Sequence, residues 1–292
     1  MQYLLSHRTA YAYASSVDAA HHIAHLRARA FPGQTVSSIS IATHPEPAMA
    51  VQHVDHFGNL IDIYRIDQPH QRFDIEVRAA IEVKFPAPPP AERTPPWEEI
   101  ASALRDDGFP EAVEASEFVY ESPLVPSDDA LKAYGAQSLT PGRPILAAAR
   151  ELTRRIKADF EYHPGATDIS TPLQQVFEGK AGVCQDFAHV MIAALRAHGL
   201  AAAYVSGYIR TVHSQEEIEL RGADASHAWV AVWCGEQAGW VHLDPTNDLV
   251  AHEDHVAVAW GRDFSDVSPL RGVILGGDDH VYSVAVTLVP TG

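Results

Sequence analysis

A proline-rich run divides the sequence into two parts of different character. Residues 86–97, PAPPPAERTPPW, contain six prolines. Proline lacks a backbone N–H and has a fixed φ, so this run cannot take an interior position in a sheet or a helix. We therefore expect a linker here, with a separately folded region on each side of it.

The sequence before this run is typical of antiparallel β structure. Short segments of alternating or β-branched residues occur at 37–43, 60–66 and 73–85. Turn residues such as Pro32 and Gly33 separate them. This pattern predicts an antiparallel β-sandwich over residues 1–86.

Residues 87–140 are expected to connect this sandwich to the rest of the chain. From Glu98 to Asp129 there are ten acidic residues and one basic residue, Arg105. We interpret the stretch as a solvated, partly helical connector whose charge serves solubility. After Pro141, apolar residues recur at helical spacing and predict an amphipathic helix. A third region, residues 141–292, is expected to fold around this helix.

Composition excludes several classes of function. The chain carries 21 basic and 38 acidic side chains, a formal net charge of −17, which disfavours binding to nucleic acids or anionic membranes. The apolar fraction of 46% is sufficient for a packed core. Only Cys184 and Cys234 occur, so no disulfide framework is expected. The N-terminus does not resemble a secretory signal, and a cytoplasmic location is expected.

The segment GVCQDFAHVMIAALRAHGL places a cysteine at the start of a helix. Cys184 follows a glycine-containing turn, and Phe187, Ala188, Met191 and Leu195 form one helical stripe behind it. Unpaired N–H groups and the helix dipole favour an anion in a first turn, so this position favours a thiolate. A buried, unreactive cysteine is the alternative interpretation for this residue taken alone.

Two later strands bring a histidine and an aspartate to one face of a hairpin. Alternation places His227 with Trp229 in SHAWVAVW, and Trp240 and His242 with Asp244 in WVHLDPTND. A turn of even length, such as residues 234–237, would set His227 directly opposite Asp244. A five-residue loop would leave them diagonal neighbours. Either register permits contact, and a Cys–His–Asp set suits covalent acyl transfer.

Three core motifs carry a family resemblance. GVCQDFAHVMIAALR, ASHAWVAVW and GWVHLDPTND resemble the transglutaminase-like superfamily, in particular its bacterial branch described as cysteine proteases. The likeness extends to SHRTAYAYASSV and HFGNLIDIYRI before the core and to GRDFSDVSPLRGVILGG after it. It implies an α+β fold with a papain-like transglutaminase core in residues 141–292. The C-terminal strands are expected to complete this core's sheet or to bridge the two regions.

The resemblance also implies an activity. Cys184 would be the nucleophile, His227 the general base and then acid, and Asp244 the residue that orients His227. We expect hydrolysis of a peptide or carboxamide bond through a thioester, with a peptide or protein as substrate and no cofactor. Acyl transfer to an amine is the second interpretation, and a non-catalytic peptide-binding module is the third. The Cys184 backbone N–H is a candidate oxyanion donor.

Other chemistry-bearing residues have less specific interpretations. Candidate substrate contacts are Trp229, Trp240, His242 and Tyr162, with structural packing as the alternative for the aromatic residues and the histidine. A metal site is not expected. The cluster His21, His22 and His25 lies in a stretch that a strand would scatter over two faces, and His252, Asp254 and His255 are interpreted as an exposed loop cluster.

Overall fold

The computed structural model describes residues 1–105, 110–210 and 225–291. The fold is α+β, as expected, with two antiparallel sheets and helices packed beside the second sheet. The strands are β1 (Gln2–Ala24), β2 (Gln34–His44), β3 (Met49–Val54), β4 (Leu60–Ile66), β5 (His70–Val83), β6 (Glu161–Tyr162), β7 (Ala181–Gly182), β8 (Ala202–Ile209), β9 (Ala225–Trp233), β10 (Trp240–Asp244), β11 (Leu249–Val250), β12 (His255–Gly261), β13 (Leu270–Gly276) and β14 (His280–Pro290).

The helices lie between the two groups of strands and among the later strands. They are α1 (Trp97–Arg105), α2 (Pro110–Ser116), α3 (Asp129–Ala136), α4 (Ile145–Asp159), α5 (Leu173–Gly179), α6 (Cys184–Arg196) and α7 (Phe264–Val267), with 3-10 turns at Ala91–Arg93 and Glu117–Val119. Within the described ranges, none of these helices is long and apolar enough to cross a membrane.

The first sheet is built around the long strand β1. Along one edge, β1 pairs first with β5 and then with β4; along the other, it pairs first with β14 and then with β13. The ladder to β5 is interrupted between Ala12 and Val17, where the strand changes partners. The sheet curls around a core that includes Val17, Phe73 and Ile75. The N-terminal region is thus one curled sheet rather than the two separate sheets expected of a sandwich, because β1 is continuous.

The C-terminal strands bridge the two regions. β13 and β14 both pair with β1 and lie outside the second sheet, which has the order β11-β10-β9-β8-β12. The chain therefore leaves the N-terminal sheet at residue 83, builds the second sheet, and returns from β12 to the first sheet.

The segment between the sheets is more than a solvated connector. Ile100, Ala101 and Leu104 of α1 are buried in the same core as α4 and α6. The acidic residues of this helix, Glu98 and Glu99, lie in its first turn, where the helix dipole favours them. The helix therefore packs its apolar stripe on the second sheet's core and leaves its charges toward solvent.

The hairpin of β9 and β10 has a register different from both predicted ones. Trp240 pairs with Trp233 and Leu243 pairs with Val230. The Cys234 N–H donates to the Gly239 carbonyl, and Gly235 and Gly239 both have positive φ, so the turn holds four residues, 235–238. This turn shifts the strands by two residues relative to the expected pairing. His227 is consequently a diagonal neighbour of Asp244, on the same face as predicted.

Side chains from the first sheet cover the free edge of β12. Gln34 Nε2 donates to the Ala257 carbonyl at 2.7 Å, and Gln34 Oε1 accepts from the Ala257 N–H at 2.9 Å. Asn59 makes the equivalent pair with the N–H and carbonyl of Trp260, at 2.9 and 2.7 Å. These amides take the place of a neighbouring strand, since they satisfy backbone groups that an edge leaves unpaired.

The Gln34 bridge can be tested by substitution. Gln34→Met keeps a similar volume but leaves the buried Ala257 N–H without its acceptor, while the Ala257 carbonyl keeps the Arg29 N–H, and we expect the free energy of unfolding to fall by about 1–3 kcal/mol. Urea denaturation measures the change. Gln52→Met, at an exposed position of β3, should change it by about 0.5 kcal/mol or less. Equal effects of the two substitutions would contradict the bridge.

Candidate active site

The helix α6 holds Cys184 at its first residue. Its N-cap is Val183, and the Asp186 carboxylate closes the turn by accepting hydrogen bonds from the Val183 N–H at 2.8 Å and from Thr167 Oγ1 at 2.6 Å. Gly182 is required beside this carboxylate, because a Cβ there would lie 2.5 Å from Asp186 Oδ2. Asp186 therefore fixes the turn that presents Cys184, a role the sequence analysis did not assign.

Cys184 is the accessible end of an otherwise buried helix. Every residue of α6 from Asp186 to Arg196 is buried, whereas Cys184 is half-buried. The N–H groups of a first helical turn have no acceptor within the helix and point toward the space in front of it. Cys184 thus lies at the helix end that favours negative charge.

His227 lies between the thiol and a buried carboxylate. Its Nε2 lies 2.8 Å from Asp244 Oδ2, and both side chains are buried. Since Nε2–H is directed at the carboxylate, Nδ1 is the ring nitrogen left for the Cys184 thiol, whose interaction with this ring contributes to its raised pKa. Burial disfavours the imidazolium, but the hydrogen bonds with Asp244 and Cys184 outweigh it and raise the pKa of His227 to about 10.

Asp244 is held ionised by its surroundings. Oδ1 accepts from the N–H groups of Thr246 and Asn247, and Oδ2 accepts from the Asn247 side-chain amide at 2.7 Å. His255 Nε2 also lies 3.2 Å from Oδ2. Burial alone would raise the pKa of Asp244, but the hydrogen bonds from His227 and His255 hold it well below its usual range.

His255 corrects one expectation from the sequence. It was grouped with His252 and Asp254 as an exposed loop cluster, but it begins β12 and its exposed fraction is 0%. The signal available in the sequence was the apolar run VAVAW that follows it, since a histidine opening a buried strand is itself inside. Asn247, two residues after the DP dipeptide, was also missed.

The convergence of His227, Asp244 and His255 does not make a metal site. Their ligand atoms lie within 4.8 Å of one another. Both imidazoles use Nε2–H to donate to Asp244 Oδ2, so neither Nε2 presents a lone pair to a cation. The Asn247 amide, a further donor, occupies the same oxygen. The geometry is that of a hydrogen-bonded cluster around one carboxylate.

The N-terminal histidines do not converge. His22 stacks on Phe73 at a ring distance of 4.4 Å, and His25 lies 3.4 Å from Asp55. His21 is exposed on β1, while His22 is buried on its other face. The strand thus places His21 and His22 on opposite faces, as the sequence analysis expected.

The four candidate substrate contacts have different surroundings. Tyr162 is 49% exposed. Partial burial is the main cause that raises the pKa of its hydroxyl, and the nearby Cys184 thiol is the second cause. Trp229 is wholly buried and donates from Nε1 to His242 Nδ1 at 3.0 Å. Trp229 is therefore a core residue, and its candidacy as a substrate contact is wrong.

His242 and Trp240 line a different cavity. This cavity of about 430 Å³ lies where the two sheets meet, and its walls include Phe31, Phe85 and Trp260. His242 stacks on Phe31 and is itself buried, so burial lowers its pKa to about 3. The Trp229 ring contacts both His242 and His227.

A second cavity adjoins the Cys184 helix. It has a volume of about 280 Å³, and Gln185 and Asp186, the residues that follow Cys184, form part of its wall. Apolar side chains, among them Leu124, Ile169 and Leu173, share the wall with Ser170, Thr171 and His189. This space is the better candidate for a substrate side chain, because the first turn of the Cys184 helix lines it.

Fold and site together define a Cys–His–Asp cluster on an α+β scaffold, and comparisons with known proteins identify the family. Residues 132–245 match the transglutaminase-like superfamily, and residues 3–82 match the bacterial transglutaminase-like N-terminal region. An uncharacterized protein of Mycobacterium tuberculosis is 37% identical over 296 residues, covering 99% of this chain and 93% of the relative. The chain belongs to the transglutaminase-like superfamily.

Two further matches agree with this assignment. An uncharacterized protein of Mycobacterium leprae is 30% identical over 276 residues, with 92% of each chain covered. A crystal structure from Cytophaga hutchinsonii, provisionally assigned as a cysteine protease, has a TM-score of 0.76 and 18% sequence identity. The match covers 100% of this chain and 92% of that one, so the two share a fold over their whole length.

The ionisation of His227 depends on Asp244. In Asp244→Asn, the amide keeps the shape but removes the charge, and we expect the pKa of His227 to fall by about 1 to 3 units. NMR titration of the His227 ring measures it. Asp248→Asn is the control, since Asp248 has a φ of 55°, which asparagine tolerates, and its carboxylate lies near Arg154. A pKa that stays near 10 in Asp244→Asn would refute this dependence.

The same proton links stability to pH. A folded-state pKa of about 10 against 6.5 in the unfolded chain means that the folded state binds this proton more tightly. The resulting stabilisation is fully present below pH 6.5 and is lost as the pH rises through 10. Asp244→Asn should reduce this loss of unfolding free energy at alkaline pH, which urea denaturation at several pH values measures.

Proposed function

We propose that this protein is a thiol-dependent hydrolase of peptide or carboxamide bonds. The observation that carries the proposal is the position of His227, whose two ring nitrogens face a buried carboxylate and a thiol at a helix N-terminus. This arrangement supplies a nucleophile, a proton carrier and a residue that orients the carrier.

In the proposed first step, the Cys184 thiol gives its proton to His227 Nδ1, and the resulting thiolate attacks the carbonyl carbon of the substrate. The carbonyl electron pair moves onto oxygen, and the free N–H groups at the start of α6 stabilise this oxyanion. The C–N bond then breaks as the imidazolium of His227 donates its Nδ1 proton to the leaving nitrogen. An amine or ammonia departs, and an acyl thioester remains on Cys184.

In the second step, water replaces the thiol. Neutral His227 accepts a proton from the attacking water at Nδ1, and the C–S bond breaks to release a carboxylic acid and the thiolate. Asp244 keeps the ring in one orientation through both steps and stabilises the imidazolium. Acyl transfer would differ only in using an amine in place of water.

Substrate recognition is proposed at the cavity beside α6. Its apolar wall, which includes Leu124 and Leu173, suits an apolar side chain next to the scissile bond. Tyr162, exposed and close to Cys184, is proposed to contact the substrate backbone or leaving group.

The two cysteines provide a matched test of the proposal. Cys184→Ala should reduce the hydrolysis of a peptide-amide library to the uncatalysed rate, a loss on the order of 10⁴-fold or more, without lowering the melting temperature by more than a few degrees. Cys234 is wholly buried and its pKa is raised to about 12, so Cys234→Ala should retain turnover. Mass spectrometry of hydrolysed products measures both.

The products distinguish the competing interpretations. A library incubated with a primary amine yields free acids if water accepts the acyl group and substituted amides if the amine does. Binding of peptides by the wild type without either product would support a binding module. Turnover that survives in Cys184→Ala would refute the proposed nucleophile.

A further inference from the structure

His255 makes a contact with the catalytic cluster that its position in the sheet does not require. β12 and β10 are separated by β8 and β9 in the strand order, yet His255 Nε2 lies 3.2 Å from Asp244 Oδ2. Both side chains have an exposed fraction of 0%. A histidine is unusual at such a site, because a buried polar group is costly unless it is hydrogen-bonded.

The surrounding structure makes room for this contact. Gly207, on β8 between the two histidine strands, pairs with His227 on one side and with Ala257 on the other. A Cβ at Gly207 would lie 2.6 Å from the Trp229 ring. Trp229 in turn contacts the His255 ring edge-on at 5.3 Å. The missing side chain therefore lets Trp229 pack across β8, where it supports His255.

The hydrogen bonds of His255 define its protonation state. Nδ1 accepts from the backbone N–H of His252 at 3.3 Å, so the proton of the neutral ring is on Nε2, directed at Asp244. The titratable groups that act on this ring are Asp244, His227 and His252, and burial, together with the two histidines, outweighs Asp244 and lowers the pKa of His255. The ring is thus a neutral donor that does not compete with His227 for the charge of Asp244.

We infer that His255 is a positioning residue, which donates from Nε2 to Asp244 Oδ2 and so fixes the carboxylate that orients His227. The inference deepens the proposed function and rests on it for its catalytic meaning. Asp244 ends β10 and begins a turn, and its donors apart from the two histidines, Thr246 and Asn247, belong to that same turn. His255 ties the carboxylate to a separate strand, which prevents the turn from moving as a unit.

Two substitutions separate hydrogen bonding from packing. His255→Phe keeps a ring but removes the hydrogen-bond donor. Because Asp244 is then held less firmly against His227, we expect the pKa of His227 to fall by about one unit or more. His255→Gln places an amide nitrogen near the position of Nε2 and should restore most of the wild-type value. His252→Ala is the control, because that side chain is partly exposed and its backbone N–H remains. NMR titration of His227 reports on each variant.

Alkylation gives a second readout that a purely structural role would not alter. Iodoacetate is anionic and reacts fastest with a thiolate that lies beside an imidazolium. The alkaline fall in the rate of Cys184 alkylation should therefore move to lower pH in His255→Phe, with a roughly tenfold slower rate one unit above the wild-type midpoint. The rate should recover in His255→Gln.

These measurements need no substrate, so they separate the inference from the proposed function. A folded His255→Phe protein with wild-type His227 titration and wild-type alkylation would overturn the inference, whatever its turnover. If the His227 pKa falls in His255→Phe but the wild type hydrolyses nothing, the positioning role holds and the hydrolase proposal fails. His255→Met, with a more flexible apolar side chain, replaces His255→Phe if the latter does not fold.

Discussion

The structure of the site depends on one buried anion. The Asp244 carboxylate is fully enclosed, and a buried charge is tolerated only where donors replace the water it has lost. Those donors come from three places: His227 on β9, the turn after β10, and His255 on β12. The carboxylate therefore sets how these strands curve toward each other. The cluster therefore constrains the structure of the second sheet, in addition to the catalytic role that we propose for it.

The first sheet supports this cluster through β12. The strand that carries His255 has β8 on one edge and the amides of Gln34 and Asn59 on the other. Each side-chain amide hydrogen-bonds the N–H and the carbonyl of a single residue of β12. The amides therefore hold this strand without adding another strand to the sheet. β12 continues through α7 into β13, which pairs with β1. The N-terminal region is thus part of the scaffold of the site rather than an attached module.

Local patterns predicted much of this arrangement. Helical spacing placed Cys184 at the start of a buried helix, and two-residue alternation placed His227 and Asp244 on one face. Turn geometry was less accessible, because the positive φ angles of Gly235 and Gly239 decide a four-residue turn that residue types alone do not specify. The contact of His255 with Asp244 could not be derived, since it arises between strands far apart in sequence. The N-terminal region forms a single sheet instead of the predicted sandwich, because the 23-residue strand β1 changes its pairing partners midway.

The pairing of β1 with β14 has a consequence for synthesis. Tyr3 lies beside Pro290, and the Thr291 N–H donates to the Gln2 carbonyl, so opposite ends of the described chain are direct neighbours. During translation, the first strand emerges with half of one edge lacking its partner until residues 280–290 have left the ribosome. The nascent chain must hold an exposed, aggregation-prone ladder in the meantime. The helix that carries Cys184 is therefore synthesised before β13 and β14, the strands that complete the first sheet.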